Sequence, residues 1–238
     1  MKGIVLAGGS GTRLRPLTKV TSKQLLPVYN KPMIYYPLET LIKAGIEEIL
    51  IIIAPDRAGD FLNLLGSGKE FGCRFTYEIQ DKPEGIAQAF MIGENFISDD
   101  SVTLVLGDNV FEEDFVKNIS DFKSGGRVFA KKVHDPERFG VVAFDENKKA
   151  TSIEEKPEKP KSNYAVTGLY VYDNTVLEKT KNLKPSARGE LEITDINNLY
   201  LNEGKLDVAF VEGSWFDCGT FESLNEASQL MRLKEINL

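Results

Sequence analysis

Lys2 to Arg13 reads KGIVLAGGSGTR, an apolar, partly β-branched run that ends abruptly in a glycine loop. Ile4 to Ala7 shows no polar alternation, which predicts a strand buried on both faces. Glu48 to Ala54 (EILIIIA) has the same texture, and the intervening Pro32 to Ala44 has helical character. Strand, helix and strand in that order predict a parallel βαβ crossover. A third apolar run, Val102 to Leu106 (VTLVL), leads directly into Gly107-Asp108-Asn109. Open α/β sheets hold ligands beyond the carboxyl ends of their strands, so the glycine loop and Asp108 both fall where a ligand is expected.

The second half changes texture. Arg127 to Val133, Gly140 to Phe144 and Tyr164 to Tyr172 read as strands, partly antiparallel, between charged turns, and Phe221 to Lys234 reads as a last helix. No internal repeat is evident, and the Pro/Lys-rich piece Lys156 to Lys161 is too short for an interdomain linker. The expected fold class is therefore α/β and Rossmann-like, with a mixed, mostly parallel central sheet flanked by helices, in a single domain over 1–238.

Composition narrows the function classes. A chain of 238 residues with 42% hydrophobic residues can bury a sizeable core. Its 29 basic residues are dispersed among 36 acidic ones for a net charge of −7, so no footprint for a nucleic-acid backbone stands out. Cys73 and Cys218 are too few for a disulfide framework and suit a reducing compartment. The first residues carry one basic side chain and an apolar stretch too short for a secretory signal, and no segment approaches a bilayer-spanning length. The expectation is a soluble, cytoplasmic protein with neither a membrane nor a nucleic-acid partner.

Gly8, Gly9 and Gly11 lack Cβ atoms, letting successive backbone N–H groups of a loop that also holds Ser10 and Thr12 approach phosphate oxygens. A helix following the loop would add its dipole. Leu14 stands where a dinucleotide fingerprint needs its third glycine, and no Gly-Lys-Ser/Thr completes a Walker A sequence. Arg13 and Lys23 could neutralise a polyphosphate, one as a planar fork and one as a point charge; the alternative is a solvated basic turn.

Leu6 to Thr18 (LAGGSGTRLRPLT), followed by Ser22 to Pro27 (SKQLLP), resembles the signature of the sugar nucleotidyltransferases. The resemblance recurs at Gln80 to Phe90 (QDKPEGIAQAF), Leu106 to Asn109, Phe139 to Val141, Ile153 to Pro157 (IEEKP), Gly189 to Asp195 (GELEITD) and Trp215 to Thr220 (WFDCGT). It implies transfer of a nucleotidyl group from dTTP, or from UTP, to glucose 1-phosphate with Mg²⁺, in a homo-oligomer, dimer or tetramer. The nucleotide-binding part would span about 1–115 and a sugar-phosphate-binding lobe about 116–238.

By that resemblance Leu6, Gly8 to Thr12, Arg13 and Lys23 hold the triphosphate, while Gln24, Gln80, Pro83 and Gly85 frame the base. Asp108 and Asp217 take the metal; two carboxylates plus phosphate oxygens suit octahedral Mg²⁺. Lys156 and Arg188 grip the phosphate of the sugar phosphate, and Glu155 accepts sugar hydroxyls. Asn109, Gly140, Val166, Tyr170 and Trp215 shape the sugar pocket. The catalytic set is Arg13, Lys23, Asp108, Lys156 and Asp217.

Several of these residues also have plain readings. Pro83-Glu84-Gly85 is a turn before a helix starting near Ile86, and Trp215 reads equally as a core anchor or as a ring that positions substrate. Glu155 and Lys156 are neighbours on a strand, which predicts opposite faces and separate partners. His134 lies in a turn-like Val133-His134-Asp135-Pro136 and reads as surface. Ile86, Phe139 and Cys218 depart from the family's usual Leu, Tyr and Thr. The chain stops soon after Met231 to Lys234, so the family's extra C-terminal helices, and the feedback inhibition associated with them, are not expected. A non-catalytic sensor of nucleotide sugars is the alternative from another class, against which Asp108, Lys156 and Asp217 together argue.

Overall fold

A computed structural model of the chain describes residues 1–236; the last two residues of the expected single domain lie outside the described residues. The parallel centre is as expected. Lys2–Ala7 lies between Glu48–Ile53 and Val102–Leu106, parallel to both, and Arg74–Ile79 extends the sheet beyond Glu48–Ile53. The crossover from Lys2–Ala7 to Glu48–Ile53 runs through the helix Tyr35–Lys43.

The other half of the sheet is largely antiparallel. Tyr164–Tyr172 pairs with Val102–Leu106 and Gly140–Phe144, and also with Gly126–Lys132, which continues in parallel to Leu206–Phe210. Ala150–Glu155 closes the Gly140 edge, completing nine strands. The sheet is thus mixed, with its parallel run in the half that carries the glycine loop.

Both faces of the central strands are covered, which is why their sequences do not alternate. Ile4, Leu50, Ile52 and Leu104 face one cluster, roofed by Phe90 and by Ile193, Ile196 and Tyr200 of the helix Ile193–Asn202. Val5, Ile49, Ile51, Ile53 and Val105 face the other, with Leu38 and Leu41 of Tyr35–Lys43 and Phe61 of the helix Ala58–Leu65. The helix Phe221–Ile236 contributes Ala227 and Met231 to a smaller third cluster around Val28, Met33 and Cys218. Among the described residues no helix is long and apolar enough to cross a membrane.

One local expectation fails. No helix of any length follows the glycine loop; three single 3₁₀ turns, Thr12–Leu14, Leu17–Lys19 and Lys23–Leu25, lead instead to the first α-helix at Tyr35. Pro16 and Pro27 each remove a backbone donor in this stretch and disfavour helix at the preceding residue, so no continuous helix can form. What the loop offers a ligand is therefore local N–H groups and side chains, without a helix dipole behind them.

Ile51 is fully buried at the centre of the sheet. Ile51→Ala should lower unfolding free energy by about 2–5 kcal/mol and Ile51→Val by about 0.5–1.5 kcal/mol in urea titrations. Equal losses for the two would mean that the site collapses around the cavity.

Candidate active site

The loop after the first strand turns back at Gly11, whose φ of 59° lies in the left-handed region. Thr18 Oγ1 donates to the Gly11 carbonyl at 2.7 Å and ties the loop to the following turn. Gly8 has a packing reason to be glycine: a Cβ there would fall 2.1 Å from Gln80 Oε1.

A hollow of about 200 Å³ opens beside this loop, lined by Leu6, Gly9, Lys23, Gln24, Gln80 and Asp108. Pro83, Gly85, Ile86, Leu106 and Glu190 complete it. Gln24 and Gln80 are buried polar side chains with assigned partners. Ser22 Oγ donates to Gln24 Oε1, while Gln80 Nε2 donates to Gln88 Oε1 at 2.6 Å. The Pro83-Glu84-Gly85 turn is clamped to the chain at Leu191, whose N–H donates to the Glu84 carbonyl at 2.7 Å. Gly85 has φ 108°, and a Cβ there would lie 2.3 Å from the Leu191 carbonyl oxygen. The helix after this turn begins at Gln88. Gly8 and Ser10 line a separate, larger groove of about 560 Å³ with Arg15 and Lys19, whereas Gly11 serves the turn itself.

Asp108 and Asp217 are brought together by strand pairing. Trp215–Asp217 runs antiparallel to Asn109–Phe111, with Asp217 opposite Asn109. Asp108 is only 8% exposed and forms an ion pair with Lys23. Its other oxygen accepts from Asn109 Nδ2 at 3.0 Å. Burial opposes the charge on both Lys23 and Asp108, but their contact more than offsets it, holding the ammonium above its usual pKa and the carboxyl below. Asp217 is the strained partner: burial first, then the Asp108 carboxylate, push its carboxyl up to about 6.

Arg13 reaches the same place. A Cβ on Gly219 would lie 2.4 Å from Arg13 Nη2 and 3.1 Å from Asp217 Oδ1, so glycine there admits the guanidinium beside the carboxylate. Two adjoining, mutually repelling carboxylates suit a divalent cation. Among the described residues no group of three metal-ligating side chains exists. Substrate phosphates would therefore have to complete the coordination of an ion held by Asp108 and Asp217.

A second cavity of about 270 Å³ adjoins the first, lined by Arg13, Asp108, Asn109, Gly140, Glu155 and Lys156. Val166, Tyr170, Trp215 and Asp217 also line it, so both halves of the chain contribute. Trp215 is at once anchor and wall: its Nε1 donates to Asn109 Oδ1 at 2.6 Å, and its ring packs 5.1 Å from that of Phe139. Asn109 Oδ1 also accepts from Gly168 N–H at 3.0 Å, so one buried amide sets the spacing of three segments.

Strict strand alternation between Glu155 and Lys156 does not hold. The strand stops at Glu155, and Lys156 takes φ 42° with its N–H donating to the Phe139 carbonyl at 2.9 Å. This left-handed turn brings both side chains to one cavity, with Lys156 Nζ 3.7 Å from Glu155 Oε1. A non-glycine residue in that region costs on the order of 1–2 kcal/mol, which the surrounding structure must offset. Arg188 is not part of the cavity lining; its guanidinium rests on Glu155, Glu190 and Glu192.

Sequence reasoning passed over Glu190, Thr194, Arg138, Phe139 and Gln88. Glu190 lines the hollow beside the glycine loop, and Thr194 Oγ1 donates to Glu155 Oε2 at 2.6 Å. Both lie in GELEITD, and Arg138 and Phe139 precede Gly140, so motif position was the available signal. His134 is solvent-exposed, as expected, and Cys73 and Cys218 are unpaired.

A glycine loop, a carboxylate pair and two adjoining cavities thus meet at the strand ends. The chain belongs to the nucleotidyl transferase family, whose profile matches residues 2–233. It is 56% identical to the glucose-1-phosphate thymidylyltransferase of Neisseria meningitidis, over 98% of this chain and 83% of that protein. It is 54% identical to the glucose-1-phosphate thymidylyltransferase of Mycolicibacterium smegmatis, over 99% and 84%. A Bacillus anthracis crystal structure, provisionally assigned as a glucose-1-phosphate thymidylyltransferase, superposes with TM-score 0.93 at 51% identity, covering 98% of this chain and 95% of that one. A UDP-glucose pyrophosphorylase complexed with UDP-glucose superposes with TM-score 0.86 at 26% identity, covering 98% of each.

Asn109→Leu strands the Gly168 and Trp215 donors, each at about 1–3 kcal/mol. The variant should lose about 2–6 kcal/mol in a urea titration. An unchanged midpoint would mean that water replaces the amide.

Proposed function

We propose that this chain transfers a thymidylyl group from dTTP to glucose 1-phosphate, forming dTDP-glucose and pyrophosphate. The observation that carries the reading is that the two pockets share Asp108, Leu106 and Ile86. A nucleotide in the hollow by the glycine loop and a sugar phosphate in the larger cavity would meet beside Asp108 and Asp217. The first pocket draws its lining mostly from residues before about 115, and the second adds the later lobe.

The sugar-phosphate oxygen attacks the α-phosphorus, a new P–O bond forms, and the bond to the β-phosphate breaks as pyrophosphate leaves in line. The protein supplies no nucleophile. Its difficulty is charge: two unit charges about 4 Å apart repel by roughly 4 kcal/mol even at an effective dielectric of 20. Lys23 and Arg13 face the triphosphate from the loop side, and Lys156 faces the sugar phosphate from the rim. Gln24, Gln80, Pro83 and Gly85 frame the base, while Glu155 accepts sugar hydroxyls and the Trp215 ring walls the pocket. We assign Mg²⁺ to Asp108 and Asp217, where it would neutralise phosphate oxygens as charge passes to the leaving group.

The same reading includes a homo-oligomer in the cytoplasm, consistent with unpaired Cys73 and Cys218. Uridylyl transfer differs by one methyl group on the base, worth about 1–3 kcal/mol of discrimination. The lower identity to the UDP-glucose pyrophosphorylase favours the thymidylyl reading.

Pyrophosphate release with Mg²⁺, glucose 1-phosphate and either dTTP or UTP tests this directly, with mixtures lacking sugar phosphate as controls. Sugar-dependent release should be faster with dTTP. A preference for UTP would keep the mechanism and change the product, and no release from folded protein would return the reading to a sensor. Asp108→Asn and Asp217→Asn should each lower the Mg²⁺-dependent rate at least about a hundredfold, and a rate equal to wild type would move the metal elsewhere.

A further inference from the structure

Glu192 lies outside both pockets, yet it is only 7% exposed, an unusual place for a carboxylate. Its environment explains the burial. Arg188 donates to it three times, from Nε to Oε1 at 3.1 Å and from Nη2 to Oε1 at 2.9 Å and Oε2 at 2.8 Å. Ser186 Oγ adds a fourth bond to Oε1 at 2.7 Å. The loop that carries Arg188 is itself closed, with the Ser186 N–H on the Glu190 carbonyl at 2.9 Å and Gly189 in a left-handed turn at φ 77°.

The same guanidinium then reaches forward. Arg188 Nη2 donates to Glu155 Oε1 at 3.2 Å, while Thr194 holds Glu155 Oε2 at 2.6 Å. Glu155 is therefore gripped at both oxygens while it lines the larger cavity. Arg188 also lies 3.2 Å from Glu190, but that carboxylate is 44% exposed, and an exposed pair contributes little.

We infer that Glu192 is a positioning residue for the sugar-phosphate subsite: it anchors Arg188, and Arg188 sets the orientation of Glu155. This rests on the proposal that Glu155 receives the sugar hydroxyls. Loss of the Glu192 side chain frees the guanidinium to swing toward solvent or collapse onto Glu155, so the sugar side suffers; the nucleotide side, met by the exposed Glu190 and by the Leu191 backbone rather than by the Glu192 carboxylate, does not.

The test is steady-state kinetics of Glu192→Ala and Glu192→Gln beside wild type, with both substrates varied and thermal melts run in parallel. Turnover by wild type comes first; its absence defeats the functional reading, whereas a change confined to the variants bears on Glu192 alone. Glu192→Ala should raise the KM for glucose 1-phosphate about tenfold or more, as expected for losing hydrogen bonds to a charged group. The KM for dTTP should stay within about twofold. Glu192→Gln, which keeps the shape and one acceptor, should fall between the two, and it carries the test alone if Glu192→Ala does not fold. In a Glu155→Ala background, removing Glu192 should add little further loss, because the two act through one chain of contacts. An unchanged sugar KM in Glu192→Gln and Glu192→Ala, equal changes in both KM values, or losses that multiply in the double variant would each overturn the assignment.

Discussion

The meeting of Asp108 with Asp217 follows from one short strand pairing. Three residues, Trp215–Asp217, lie antiparallel to Asn109–Phe111, and that register sets Asp217 across from Asn109 and next to Asp108. The Cys218 N–H donates to the Asp108 carbonyl at 2.9 Å and extends the register by one bond. A slip of one residue would turn Asp217 to the other face and exchange it for Phe216 or Cys218. Asn109 prevents that slip, because its amide is bound at once to Asp108, Gly168 and Trp215. Packing, hydrogen bonding and chemistry are therefore decided at the same few atoms.

The architecture was legible where burial writes itself into composition. Ile49 to Ile53 is apolar at every position because both faces of its strand are covered, and no other element type explains such a short run as well. The glycine loop was legible as a tight loop ending the first strand, but not its continuation, since a run containing Pro16 and Pro27 hides three single turns that carry no periodic signal. The carboxylate pair was out of reach of any local rule. Asp108 and Asp217 are far apart along the chain, and only the company of their motifs suggested that they meet.

Departures from the local rules concentrate at the site. Lys156 breaks strand alternation through a left-handed turn, and Gly85 and Gly219 exist to let a carbonyl and a guanidinium come closer than a Cβ would allow. Sequence patterns fail at such places for a physical reason: there the backbone answers to a ligand's geometry rather than to the period of its own element.

The charge arrangement has the same logic. Burying two carboxylates side by side is unfavourable, and the chain limits the cost by placing Lys23 on one and Arg13 by the other. Those cations are held by contacts that exist before any ligand arrives: Lys23 by Asp108, and Arg13 by the space Gly219 leaves open. In a site of this kind the donors are already oriented, so little reorganisation is required as phosphate charge shifts. The more distant Glu192–Arg188–Glu155 chain extends the principle to the cavity proposed for the sugar phosphate, where a buried carboxylate holds an arginine and the arginine holds Glu155. Rigid, charged supports standing one contact behind the reacting groups are thus common to both halves of the site, although one half is built on parallel strand ends and the other on an antiparallel lobe.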